Sequence, residues 1–330
     1  LLVGIAGGIG ASIGAILIHQ KLTRIPKNVV LFSWDCIERR VFEELSANGS
    51  LPFVNSFPYL INHDCSLEFT AGTVTRPQHA TMFSGYLANI TGLRANDPTK
   101  NYVPPAINGG LTMPIGYTVF ERVRQWFYLN KPRIVGCVGK PKNVGDMLGF
   151  MELGVFYNHH GFDVFDNHGD GISTSEGRQR FLQYAEDTPP YFYLFHEGYT
   201  DGMLHKYGVD SPQYRQSIID ADTLTAEICD KLKASNPAII ITSDHGGGCC
   251  TPTSHGNTPF TFLATNLPIV QTKSFMVDVA PTIYDYLNMP YYAFNPPIQG
   301  FSLMRPAPLR VPAPLTMLSK EEVMYGHEII

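Results

Sequence analysis

The stretch Ala238-Ile239-Ile240-Ile241-Thr242-Ser243-Asp244-His245-Gly246-Gly247-Gly248 constrains this chain more than any other. A short β-branched apolar run reads as a buried strand of a parallel sheet. It ends on an acid and an imidazole and then passes into glycine, with Ser254-His255-Gly256-Asn257 close behind. In open α/β sheets, ligands collect just beyond the carboxyl ends of strands. Asp and His together suit zinc or a similar divalent ion. Neighbouring glycines let the backbone turn sharply and approach a ligand closely. The plain alternative is a strand followed by a polar hairpin, and the choice rests on whether the rest of the chain supplies partners.

Other segments repeat the pattern. Lys27 to Asp35 is an apolar strand that also ends on an acid, and Glu38 to Ala47 reads as an amphipathic helix. Asp35 therefore occupies the same kind of strand end as Asp244, where an Asp is either a ligand or a helix N-cap. Pro190 to Glu197 is a third strand, followed by Asp201 and His205 four residues apart. On a helical turn that spacing puts both side chains on one face, able to share an ion. Tyr214 to Ser235 continues as a long amphipathic helix. Strands alternating with helices predict a mostly parallel sheet covered on both faces, a three-layer αβα sandwich. Thr258 to Thr265 reads as a further strand, and Met276 to Leu287 as a helix.

Thr75-Arg76-Pro77-Gln78-His79 places a hydroxyl before a Pro that suits a first helical turn. There the hydroxyl faces a positive helix terminus, which favours phosphate or sulfate. It is a nucleophile if a metal lowers its pKa, and otherwise simply the N-cap. Arg76 either holds an anionic group or faces solvent. The paired histidines His159 and His160 lack regular ligand spacing and fit surface or substrate-pocket loops.

Composition limits the alternatives. A formal net charge of −5 gives no basic surface, so nucleic-acid binding has no compositional support. Six cysteines are too sparse for a disulfide scaffold and lack C-x-x-C spacing. Leu1 to Ile18 is apolar and uncharged, at the lower limit for spanning a bilayer, with Lys21, Arg24 and Lys27 after it. The expected organisation is an anchor or signal segment over 1–24 and a catalytic domain over 25–305. A loop-rich substrate region falls at about 87–190 within that domain, and a tail covers 306–330. The expected location is membrane-anchored, with the catalytic domain outside the cytoplasm.

Asp35, Thr75, Asp201, His205, Asp244, His245 and His255, taken in this order, resemble the alkaline phosphatase superfamily. Within it, they resemble the type I phosphodiesterase, nucleotide pyrophosphatase and sulfatase-like branch. Thr75 to His79 with Ser84-Gly85 is similar to its threonine nucleophile segment. Asp201-Gly202-Met203-Leu204-His205 resembles its D-x-x-G-H segment, with Leu204 in place of glycine. The resemblance covers about Asn28 to Leu303 and implies an alkaline-phosphatase-like fold. It also implies two divalent metals, zinc or manganese. Asp201, His205 and His255 would bind one, and Asp35, Asp244, His245 and the Thr75 oxygen the other. Arg76 and Lys140 are the substrate-binding candidates. The implied activity is metal-dependent phosphate-ester hydrolysis with Thr75 as nucleophile. The substrate would be a phosphorylated small molecule, a nucleotide, or a lipid or glycolipid head group. Phosphoethanolamine-type transfer and sulfatase-like hydrolysis are the alternatives, with a non-catalytic binding domain after them. Gly139-Lys140 and Gly161-Phe162-Asp163 resemble segments that sulfatases place around the active site. Thr75, however, stands where sulfatases need a residue that becomes formylglycine.

Overall fold

The computed structural model describes residues 25–64, 73–97, 112–139, 144–148, 150–152, 155–157, 160–167, 175–248, 252–255 and 260–307. Strand β1 spans Val29–Trp34 and is buried along its whole length. Its alternating side chains serve two cores. Val29 and Leu31 join one apolar cluster, while Val30, Phe32 and Trp34 join another. A strand buried on both faces cannot alternate between apolar and polar, which is why the sequence reads as a continuous apolar run.

Helices cover both faces. Helix α1 (Arg39–Ala47) starts from Glu38, whose side chain accepts the Val41 N–H, and it buries Val41, Phe42 and Leu45. Strand β2 (Tyr59–Asp64) follows, then helix α2 (Thr75–Ser84) and helix α3 (Val119–Trp126), which a Thr118/Glu121 capping box opens. Next come β3 (Arg133–Val138), the hairpin β4 (Phe150–Glu152) and β5 (Val155–Tyr157), and β6 (Val164–Asn167). Helix α4 (Ser175–Tyr184), β7 (Tyr191–Glu197), α5 (Tyr199–Tyr207), α6 (Pro212–Leu232) and β8 (Ala238–Ser243) continue the alternation. The described chain closes with β9 (Phe260–Thr265), β10 (Lys273–Phe275) and α7 (Val279–Tyr286). Residues of α2, α3 and α7 pack in one cluster, and residues of α1, α4 and α6 in the other. The expected three-layer αβα sandwich is therefore present.

The main sheet has the order β10-β2-β9-β8-β1-β7-β3-β6. All neighbours are parallel except at β9, which runs antiparallel to both β2 and β8. The sequence gives no sign of this reversal, nor of strand β2. The chain leaves β8 at its carboxyl end and enters β9 at that same end, so no crossover helix is needed. Among the described residues no helix is long and apolar enough to cross a membrane. Residues 1–24 and 308–330, on which the anchor and most of the tail fall, lie outside the described residues, as does Lys140.

Candidate active site

Strand β1 lies between β7 and β8, and its register decides what meets at the carboxyl end of the sheet. Trp34 lies opposite Ser243 on one side and Glu197 on the other. The next residues, Asp35 and Asp244, are therefore neighbours beside the start of α5. Glu197 caps that helix, accepting from the N–H groups of Tyr199 at 2.6 Å and Thr200 at 3.2 Å. The Thr200 hydroxyl donates to the Asp35 carbonyl. Asp201 and His205 then share one face of α5, as their spacing predicts.

Two groups of donors result. In the first, Asp201 Oδ1 lies 2.8 Å from His255 Nε2 and 3.3 Å from His205 Nε2, and the two imidazole nitrogens are 2.8 Å apart. His205 Nδ1 sits 2.7 Å from the Thr253 carbonyl, which can only accept, so Nδ1 carries the proton and Nε2 presents its lone pair. Burial, reinforced by His245, lowers the His255 imidazole to about 3, so it stays neutral and basic toward a cation. In the second group, His245 Nε2 lies 3.4 Å from Asp35 Oδ1 and 3.3 Å from both Asp244 Oδ2 and Thr75 Oγ1. His245 Nδ1 donates to the Gly246 carbonyl at 2.9 Å, which fixes the same tautomer. Asp35, Asp244 and His245 are all buried completely. Carboxylates taken out of water together with inward lone pairs suit a divalent cation and tolerate its absence poorly. In each of these two groups the ligand atoms lie within 4.8 Å of one another. The donor set, nitrogen and oxygen without a sulfur in these two groups, fits such an ion.

Thr75 is the first residue of α2, and Val74 holds the N-cap position. The hydroxyl is therefore not used in capping and instead faces His245. The helix end is a poorer anion site than the sequence suggests. Pro77 has no N–H, the Arg76 N–H goes to Asn96 Oδ1 at 2.8 Å, and the Gln78 N–H goes to the Val74 carbonyl. Arg76 does not face solvent: it is buried, and its guanidinium donates to the Asn96 carbonyl. The Gly161-Phe162-Asp163 segment lies at the opposite end of the sheet from the site. Asp163 accepts the Ile134 N–H at 2.9 Å at the start of β3, and Phe162 packs on Phe120. His160 is buried 3.5 Å from Glu121, in the core rather than in a surface loop.

Several contributors escaped the sequence reading. His79 lies one turn after Thr75, with Nδ1 2.8 Å from the Thr75 carbonyl and 3.3 Å from Asp244 Oδ2. Facing two acceptors, Nδ1 carries the proton, and Nε2 accepts from the Ser33 hydroxyl at 2.8 Å. His196 stacks on His79 and approaches Asp35 Oδ2 at 3.5 Å. These rings orient the carboxylates from behind. Polar residues at the end of an apolar strand were the available signal for His196 and Glu197. The Leu204 departure also has an account. A Cβ on Gly247 would come within 2.6 Å of Leu204 Cδ1, so glycine there makes room for the larger side chain.

The model of the type I phosphodiesterase / nucleotide pyrophosphatase family matches residues 29–276. The chain belongs to that family. It is thus a phosphodiesterase-family hydrolase of the alkaline phosphatase superfamily, and the family is metal-dependent. Among curated proteins none matches the chain. Solved structures share the fold of this phosphodiesterase-family chain at low identity. A 2-O GAG sulfatase aligns with a TM-score of 0.59 at 13% identity, over 84% of this chain and 73% of the sulfatase. The phosphonate monoester hydrolase of Silicibacter pomeroyi aligns at 0.55 and 12% identity, over 86% and 77%. Human ectonucleotide pyrophosphatase / phosphodiesterase 5 aligns at 0.51 and 14% identity, over 80% and 95%.

Proposed function

We propose that this chain hydrolyses phosphate esters, with phosphodiesters as the preferred class, using Thr75 as nucleophile and two divalent ions. Asp201, His205 and His255 would hold one ion, and Asp35, Asp244 and His245, with the Thr75 oxygen, the other. Imidazole with carboxylate favours zinc, and manganese after it. The observation that carries this reading is the placement of the Thr75 hydroxyl, buried and 3.3 Å from His245 Nε2 without a capping role. The murine relative of the human enzyme, inactive as a threonine-to-alanine variant, was solved in complex with AMP. That supports a threonine nucleophile and a nucleotide-like ester.

When bound, the ions would lower the pKa of hydroxyl and water and offset charge growing on the phosphoryl oxygens. Thr75 Oγ1 gives up its proton to solvent and attacks phosphorus in line, forming the Thr75–phosphorus bond as the bond to the ester oxygen breaks and that oxygen leaves, taking a proton from solvent. Water then attacks the threonyl ester, returning Thr75 to its hydroxyl form. His79, held by Ser33, fixes Asp244, and His196 faces Asp35, so neither carboxylate needs to reorganise during the reaction. The apolar residues 1–18 support tethering to a membrane, which would bring lipid or glycolipid head groups within reach.

Metal content by plasma mass spectrometry, paired with hydrolysis of bis-p-nitrophenyl phosphate, p-nitrophenyl phosphate and p-nitrophenyl sulfate, tests the reading. The expected result is two ions per chain and fastest turnover of the diester. Bound metal with no hydrolysis of any ester would favour group transfer to an acceptor. Preference for the sulfate ester would overturn the phosphodiesterase assignment.

A further inference from the structure

Cys36 directly follows the ligand candidate Asp35 and is completely buried. Its φ is +59°, in the left-handed region where glycine is at ease and a β-carbon is strained. An outlier of this kind beside a site is a reason to ask what the side chain does. The backbone N–H of Cys36 is held by Asp244 Oδ1 at 3.1 Å, and the thiol donates a long hydrogen bond to the Gly246 carbonyl at 3.5 Å. Gly247 keeps that space open, since a β-carbon there would lie 2.8 Å from the sulfur. The decisive observation is a third convergence. Cys36 Sγ and one ring nitrogen each of His245 and His255 lie within 4.8 Å of one another, all buried. Donor atoms around a tetrahedral ion sit roughly 3.5 Å apart, so small side-chain rotations close this triangle.

We propose that Cys36, His245 and His255 form a soft-metal site that overlaps the two carboxylate–histidine groups and competes with them. This rests on the two-ion reading above, because His245 is drawn from one group and His255 from the other. Thiolate with imidazole selects thiophilic cations such as cadmium or monovalent copper, whereas carboxylate with imidazole holds borderline or harder ions. One soft ion on the thiol set removes a histidine from each neighbouring group. Occupancy is therefore exclusive, and the site is open to inhibition by soft metals.

The test is a cadmium titration of the full-length chain after loading with zinc. Thiolate-to-cadmium charge-transfer absorption and released zinc are both recorded. The same titration is run on Cys36→Ser and Cys36→Gly, the latter matching the positive φ and so keeping the fold without the thiol. The wild type is expected to gain the band and lose zinc as cadmium binds. Both variants are expected to keep their zinc and bind cadmium at least about tenfold more weakly, without that band. An equally strong band and equal zinc release in Cys36→Gly would assign the effect to other cysteines and overturn the proposal. A zinc-loaded wild type that shows no Cys36-dependent band overturns the soft site while sparing the two-ion reading. A wild type that takes up no zinc refutes the two-ion reading, and a Cys36-dependent cadmium band in that protein still establishes the soft site.

Discussion

Substituting Thr75 by alanine separates a chemical role from a structural one because the two costs differ greatly. The Thr75 hydroxyl meets His245 Nε2 at 3.3 Å, which is long for a bond from a hydroxyl. Losing such a contact costs about 1 kcal/mol or less. Removing the buried methyl adds about 1 kcal/mol. Thr75→Ala should therefore lower the unfolding midpoint by only about 3 °C, and the metal content should stay near that of the wild type. Loss of the atom that forms the bond to phosphorus is a different order of effect, about 10⁴- to 10⁶-fold in kcat, or about 5–8 kcal/mol at the transition state. Thr75→Ser, which keeps the hydroxyl on the same helical position, should stay within about 100-fold of wild type. The assay is diester hydrolysis with metal content and thermal unfolding measured on the same preparations. A metal-loaded Thr75→Ala protein retaining more than about a hundredth of wild-type kcat would remove Thr75 as the nucleophile.

Three further outcomes are expected. His205→Ala deletes one of three converging donors and should weaken metal binding and activity together. Full metal retention by competition titration would show that the ligand set is wrong. His79→Ala removes the ring between Ser33 and Asp244 and should reduce metal affinity by about 10- to 100-fold. Unchanged affinity in a folded variant would make His79 a packing residue only. Burial raises the Glu197 carboxyl from 4.5 to about 7, which favours its protonated form in the folded protein. That stability is present in full below 4.5 and is lost as pH rises through about 7, and the gap corresponds to about 3 kcal/mol. Denaturant unfolding of metal-free wild type and Glu197→Gln across this window should show a steeper pH decline in the wild type. Parallel curves would exclude Glu197 as its source.

The sequence by itself determined much of this protein. Apolar runs ending in Asp35, Glu197 and Asp244 announce strands buried on both faces, because only such strands lack polar alternation. The four-residue spacing of Asp201 and His205 announces a shared helical face. Such features are local, set by backbone periodicity over a few residues. What the tertiary structure alone decided depends on register between distant strands. The reversal of β9 leaves no mark in its own residues, since an apolar strand reads alike in either direction. The roles of His79 and His196 arise because α2 and β7 bring them behind Asp244 and Asp35. Arg76 reads in sequence as a cation that either holds an anionic group or faces solvent, yet the fold turns it into the protein onto Asn96. Cys36 reads as an isolated cysteine until the ends of β1 and β8 and the chain at His255 close around it. Side chains far apart in sequence meet only where sheet pairing and packing fix strand ends to within ångströms, and no local pattern encodes that.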